Sequence, residues 1–155
     1  MIKIGIGYDV HRLEYEYKLI LGGVEITHEK GLAGHSDADV LTHAIIDALL
    51  GAAGRGDIGD HFPDTSDDYK GIDSQILLKR TLEIIKAKII NVDATIIAQA
   101  PKLTNFKGQI KNNLAKTLAI APEQINIKAT TEEHLGFTGE KLGVKALAVC
   151  TIETN

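Results

Sequence analysis

The first residues alternate: Ile2, Ile4, Ile6, Tyr8 and Val10 interleave with Lys3, Gly5, Gly7, Asp9 and His11, the period-two pattern of a strand with one apolar face. Further on, the Gly22-Gly23 pair separates two short apolar runs over 18–26 and signals a hairpin. Gly31 and Gly34 predict a flexible loop leading to His35. A helix is predicted over 37–53, with Leu41, Ile45, Ala48, Leu49 and Ala52 at core-face spacing. Ser36 has the character of its N-cap, and Asp39 completes a Ser-x-x-Asp capping box, which places His43 about two turns inside the helix. The glycine- and acid-rich stretch 54–65, stiffened by Pro63, reads as a loop.

Beyond that loop the pattern predicts a helix over 73–88, with Ile76, Leu77, Leu82 and Ile85 among its apolar positions, and a strand over 92–98. A helix over 106–118 and strands over 125–131 and 145–153 complete the chain. Strands alternating with helices indicate an α+β sandwich, one sheet with helices on one side. At 155 residues and 44% hydrophobic content the chain is expected to form a single domain, 1–155.

Net charge is −4 and the lysines are scattered, which excludes a general nucleic-acid surface. A polyanionic substrate then needs metal ions or backbone amides to hold it. The single cysteine, Cys150, lies in an apolar run; it excludes an intramolecular disulfide and suits a reducing compartment. The N-terminus enters a strand pattern at once, as a cytoplasmic start would, and no apolar run approaches the ~20 residues that span a bilayer.

The polar residues offer several kinds of chemistry, each with a plainer counterpart. Asp9 and His11 project from one face of the first strand, with Cα atoms about 7 Å apart at a rise of ~3.3 Å per residue, so both can reach one metal ion. His43 is a candidate third ligand, with Asp39 and Asp47 one turn to either side to take the proton of its second ring nitrogen. Read singly, all three ligands are also ordinary surface or hydrogen-bonded polar residues. His35 and Ser36 either bind phosphate at a helix entrance or merely cap it. Asp57 and Asp64 either bind hydroxyls or shape turns. Glu133, after Thr130-Thr131-Glu132, either contributes to a magnesium site or is solvated charge.

Seven blocks in order along nearly the whole chain resemble the 2-C-methyl-D-erythritol 2,4-cyclodiphosphate synthase family. They are Gly7-Tyr8-Asp9-Val10-His11; His35-Ser36-Asp37-Ala38-Asp39-Val40 with His43; Asp47-Ala48-Leu49-Leu50-Gly51-Ala52; Gly56-Asp57-Ile58-Gly59; Phe62-Pro63-Asp64-Thr65; Ile96-Ile97-Ala98-Gln99-Ala100-Pro101-Lys102; and Lys128-Ala129-Thr130-Thr131 with Leu135-Gly136-Phe137-Thr138-Gly139. The fold this resemblance implies is α+β, one mixed β-sheet with helices packed on one face and ferredoxin-like βαβ elements. The assembly implied is a homotrimer with active sites between subunits.

By position, the resemblance makes Asp9, His11 and His43 ligands of a zinc ion and Glu133 the ligand of a second cation, magnesium or manganese. It assigns His35, Ser36, Asp57, Ile58, Gly59, Phe62, Pro63, Asp64, Thr65 and Ser66 to the methylerythritol phosphate. Ala98, Gln99, Ala100, Pro101, Lys102, Leu103, Thr104, Ala129 and Thr130 go to the cytidine, with Phe137 a further contact. The implied reaction is attack of a substrate phosphate on its own diphosphate, with expulsion of CMP, in isoprenoid biosynthesis. His35 and Thr131 would steady the developing charge while zinc polarises a phosphate oxygen. No protein nucleophile is required. Two other readings share these residues: a metal-dependent phosphohydrolase, and a non-catalytic trimer that binds nucleotides or isoprenoid diphosphates.

The chain departs from the family pattern at Ala38, usually glycine, and at Glu132, often threonine. The usual Gly-Arg-x-Glu-Gly run appears as Gly139-Glu140-Lys141-Leu142-Gly143, with both members of a charge pair changed together.

Overall fold

A computed structural model describes residues 1–155. The alternating N-terminal segment forms a long strand, β1 (Ile2–Glu14), and the Gly-Gly pair turns a hairpin between β2 (Leu19–Leu21) and β3 (Val24–Ile26). The segment expected to be a flexible loop contains a short strand, β4 (Gly31–Ala33), paired antiparallel with Arg12–Glu14 of β1. The long helix is α1 (Val40–Ala53); a one-turn helix α2 (Ile58–His61) lies in the acid-rich loop, and α3 spans Ser74–Ile85. Then come β5 (Lys88–Ile97), α4 (Lys107–Leu118), β6 (Ile125–Thr130), a second one-turn helix α5 (Gly136–Gly139) and β7 (Gly143–Glu153).

The five-stranded sheet runs β4-β1-β7-β5-β6. Only β5 and β6 are parallel, joined through α4 as a βαβ unit; the other pairings are antiparallel. β1 and β7 pair along almost their whole length, from Ile2 opposite Glu153 to Arg12 opposite Gly143. Helix α1 packs across both strands, with α3 beside it. One cluster of 36 buried apolar residues fills the space between sheet and helices. Cys150 belongs to it, and burial pushes its thiol up to about 11, so it acts as a small core side chain.

The face of β1 that meets α1 is the glycine face. A Cβ on Gly5 or Gly7 would overlap the carbonyl oxygens of Ala48 and Ala44, so these glycines set how closely helix and strand approach. The apolar residues point the other way, with Ile4 71% and Ile6 70% exposed, alongside Leu147 and Val149 of β7. Strand periodicity separates two faces; which one a helix covers depends on close approach.

The entrance to α1 differs from the expected one. Ala38 adopts φ 57, a left-handed conformation that keeps the helix from extending back to residue 37. The N-cap is therefore Asp39, and His43 sits about one turn inside the helix. Asp39 accepts from the Thr42 amide at 3.0 Å and hydroxyl at 2.8 Å, and from the amides of Gly22 at 2.9 Å and Gly23 at 2.7 Å. One carboxylate thus caps α1 and anchors the hairpin. Ser36 accepts the Ala38 amide at 3.2 Å.

Helix α3 is shorter than predicted. Asp73 caps it by accepting from Gln75 N–H, and it ends at Ile85 because Lys86 turns left-handed. Ile76 faces solvent while Leu77 is buried. No helix is long and apolar enough to cross a membrane.

Candidate active site

Beyond the two glycines, the inner face of β1 continues with Asp9 and His11, and α1 lies close enough to bring His43 down onto both. The Asp9 Oδ2 atom lies 2.9 Å from His11 Nε2 and 3.1 Å from His43 Nδ1, and the two nitrogens are 3.2 Å apart. His11 Nδ1 donates to the Ala33 carbonyl on β4 at 3.0 Å. Because a carbonyl can only accept, a neutral His11 carries its lone pair on Nε2, toward the other two residues. Gly34 leaves room for the ring, since a Cβ there would come within 2.9 Å of it.

Two imidazoles and one carboxylate that present their donor atoms to a common point fit a divalent metal ion. Burial pushes the Asp9 carboxyl up, but hydrogen bonds and positive charge from His11 and His43 outweigh it and hold the group down at about 2. For His11, burial lowers the pKa and the hydrogen bond and charge of the Asp9 carboxylate raise it by more, for a net upward shift. Asp9 is thus the fixed anion of the group.

The triad opens into a cavity of about 560 Å³. Its wall includes His35, Ser36, Ile58, Gly59, Phe62, Pro63, Asp64 and Thr65, together with Gly34, Tyr69 and Leu77. His35 Nε2 donates to the Ser66 carbonyl at 2.7 Å, which fixes the ring and ties the α1 entrance to the loop after Pro63. Asp57 caps α2 in a reciprocal box with Asp60, and Asp47 accepts from Ile58 N–H at 2.8 Å. Burial, then the charges of Asp57 and Asp9, push the Asp47 carboxyl upward.

A second, smaller cavity of about 310 Å³ lies at the C-terminal ends of β5 and β6, lined by Ala98, Gln99, Pro101, Lys102, Leu103, Thr104, Ala129, Thr130, Thr131 and Lys107. Next to it the chain makes a tight turn in which Glu133 and His134 both adopt positive φ. The turn is pinned from several sides. Thr131 Oγ1 accepts from Glu133 N–H at 3.2 Å and Gln99 Oε1 from His134 N–H at 3.1 Å. Glu132 meets Lys145 at 2.6 Å and accepts from Thr138 Oγ1, and the Lys145 ammonium lies 5.5 Å from the centre of the Phe137 ring. The Lys145 hydrogen bond, followed by that from Thr138, lowers the Glu132 pKa.

Residues 2–153 match the YgbB family. The chain belongs to this family. Its curated relatives include the 2-C-methyl-D-erythritol 2,4-cyclodiphosphate synthase of Clostridium novyi (strain NT), 57% identical over 97% of this chain and 98% of that protein. The synthase of Clostridioides difficile (strain 630) is 54% identical over 97% of this chain and 96% of its own. Among solved structures, the bifunctional IspDF from Campylobacter jejuni superposes with a TM-score of 0.96 at 42% identity, covering 100% of this chain and 43% of the larger protein. The Plasmodium falciparum IspF, solved as a CDP complex, gives a TM-score of 0.83 at 36% identity, covering 97% and 95%.

Within this YgbB-family chain the structure gathers Asp9, His11, His43, His35 and Ser36 at one cavity and places residues 98, 99, 101–104 and 129–131 at another, with Ala100 outside its lining. Glu133 lies on the turn beside the second, and Phe137 on α5, which follows that turn. The carboxylates one helical turn from His43 do not support it, because Asp39 is committed to the hairpin and Asp47 to α2. Its Nε2 instead meets Ser74 Oγ at 2.8 Å and Ser36 Oγ at 3.2 Å. Leu77 was legible in the sequence only as an apolar position of a helix, and Ser74, a serine after a capping aspartate, and Tyr69 carried no signal of a site.

Proposed function

We propose that this chain converts 4-diphosphocytidyl-2-C-methyl-D-erythritol 2-phosphate to 2-C-methyl-D-erythritol 2,4-cyclodiphosphate and CMP, acting as a homotrimer. The observation that carries this reading is the convergence of Asp9, His11 and His43 at the mouth of a cavity large enough for a sugar phosphate, in a chain whose relatives bear the synthase name. In the reaction an oxygen of the 2-phosphate forms a bond to the β-phosphorus. The bond from that phosphorus to the bridging oxygen breaks, and CMP leaves with the bridging oxygen. Every atom comes from the substrate, so the protein's task is alignment and charge neutralisation.

The donor set of Asp9, His11 and His43 suits zinc with a coordination position left open. A divalent ion held there supplies positive charge beside the reacting phosphoryl group. His35, oriented by the Ser66 carbonyl, and Ser36 line the same cavity and would hold the phosphate end, with Asp57 to Gly59 and Phe62 to Ser66 around the carbon skeleton. Thr131 Oγ1 accepts from Glu133 N–H, which leaves its own hydroxyl hydrogen free to donate to a phosphate oxygen. Glu133 would serve a second cation, magnesium or manganese. The second cavity would take the cytidine, a reading supported by the CDP bound to the Plasmodium falciparum relative.

The trimer supplies what one chain lacks. Ile2, Ile4, Ile6, Tyr8, Val10, Leu147 and Val149 form an exposed apolar sheet face of the kind that marks a subunit interface. Association through it would set the metal-side cavity of one subunit against the nucleotide-side cavity of the next.

The test is turnover followed by phosphorus NMR, with metal content determined on the same sample. Cyclic diphosphate and CMP in equal amounts, lost on chelation and restored by zinc with magnesium, is the expected result. Inorganic phosphate or a linear product would instead indicate a phosphohydrolase. A metal-loaded trimer that releases no CMP overturns the proposal.

A further inference from the structure

We infer that Ser74 and Asp37 are positioning residues that fix the tautomer of His43 and so aim its Nδ1 lone pair into the metal centre. The inference rests on the metal site of the proposed function and extends it to two residues outside the ligand set.

Protons in this part of the molecule can be assigned by elimination. Asp37 accepts at both carboxylate oxygens: Oδ2 from the Ser74 amide at 2.9 Å, Oδ1 from the Ser74 hydroxyl and from the Asp39 amide at 3.1 Å. An ionised carboxylate only accepts, so the Ser74 hydroxyl hydrogen is committed to Asp37. What Ser74 Oγ then offers His43 Nε2, at 2.8 Å, is a lone pair. His43 must donate from Nε2, and a neutral imidazole has a single N–H. Nδ1 is left unprotonated, facing Asp9 Oδ2 at 3.1 Å and His11 Nε2 at 3.2 Å. Ser36 Oγ, 3.2 Å from the same Nε2, accepts the Ala38 amide and adds a longer second acceptor.

Two further observations separate this role from helix capping. Helix α3 already has its cap, because Asp73 accepts from Gln75 N–H at 2.8 Å. The Ser74 hydroxyl is not needed there. Ser74 is also completely buried, where water cannot take its place as an acceptor. Without it, His43 can move its proton to Nδ1 and donate to the Asp9 carboxylate, a hydrogen bond that a metal ion would have to displace.

The experiment is equilibrium binding of cobalt(II) and zinc to metal-free protein, in competition with a chromophoric chelator and without substrate, with the visible cobalt spectrum recorded in parallel. Ser74→Ala is expected to bind about 10- to 100-fold more weakly, the usual cost of removing a group that orients a ligand, and to alter the cobalt bands. Ser74→Thr, which keeps the hydroxyl, is expected to recover most of the affinity. Should Ser74→Ala fail to fold, Asp37→Asn gives the same reading, with about tenfold weaker binding expected. Wild-type affinity and an unchanged cobalt spectrum in a folded Ser74→Ala protein, or in Asp37→Asn, would overturn the inference. So would a Ser74→Thr protein as weak as Ser74→Ala. A wild-type protein that binds cobalt as described but releases no CMP would overturn the reaction and leave this relay standing.

Discussion

Asp39, the cap of α1, and His43, four residues on within it, do unrelated work. Asp39 is completely buried with four donors on its two oxygens, two from the hairpin and two from Thr42. Burial pushes its carboxyl up, and the hydrogen bonds oppose that shift. Removing the acceptor would leave several buried donors without partners, each costing about 1–3 kcal/mol. Asp39→Ala is therefore expected to lose at least about 3 kcal/mol of stability in urea denaturation. A loss below about 1 kcal/mol would show that water or a rearranged hairpin takes over those donors. Spacing alone gave Asp39 and Asp47 as equal candidates to support His43. It could not show that residues 22, 23 and 58 had prior claims on them, because those claims arise from parts of the chain that are remote in sequence.

At the scale of elements, the site depends on how closely α1 lies on β1. The strand carries Asp9 and His11, the helix carries His43, and between them are Gly5 and Gly7 with no side chain to separate the backbones. Gly7→Ala forces the helix away at Ala44, directly after His43, and two residues before Asp9 on the strand. A loss of about 1–3 kcal/mol or more is expected from the overpacking. The effect on metal binding should be larger than that stability loss alone implies, since donor atoms held within 3.2 Å of each other would be pulled apart. Calorimetric metal titration of the folded variant checks this; unchanged affinity would show that strand and helix shift together. The alternation of β1 was fully visible in the sequence, and so was the shared face of Asp9 and His11. That the glycine face is the packed one was not, because exposed Ile4 and Ile6 look like core in a single chain.

For the whole molecule, those same isoleucines argue for assembly. An apolar stripe along β1 and the neighbouring β7 strand is costly to leave in water, at roughly 25 cal/mol per Å². Ile6→Glu should shift sedimentation equilibrium from three chains toward one, while the chain stays folded around its separate core and still binds zinc. CMP release should fall by at least about 100-fold, because the two cavities of a complete site would come from different subunits. A monomeric variant with wild-type turnover would place the whole reaction within one chain. The acidic net charge fits the proposed organisation, in which metal ions and a few oriented donors, rather than a basic patch, would meet a diphosphate.

What the sequence by itself determined was local and ordered: the period of the longer strands and helices within a few residues, the turn at Gly22-Gly23, the shared face of Asp9 and His11, and the succession of motifs that marks the family; the short β4, α2 and α5 were not among them. These depend on neighbours along the chain, or on residues kept together by a common chemistry. Tertiary structure decided everything that needs two distant segments to meet. It brought His43 to β1, turned the isoleucines of β1 outward, and moved the N-cap from Ser36 to Asp39 by a left-handed Ala38. It also gave His43 Ser74 as its partner, 31 residues further along the chain. The physical reason is that hydrogen bonds and close packing are settled by distance in space, where a buried donor takes whichever acceptor the folded chain brings to it.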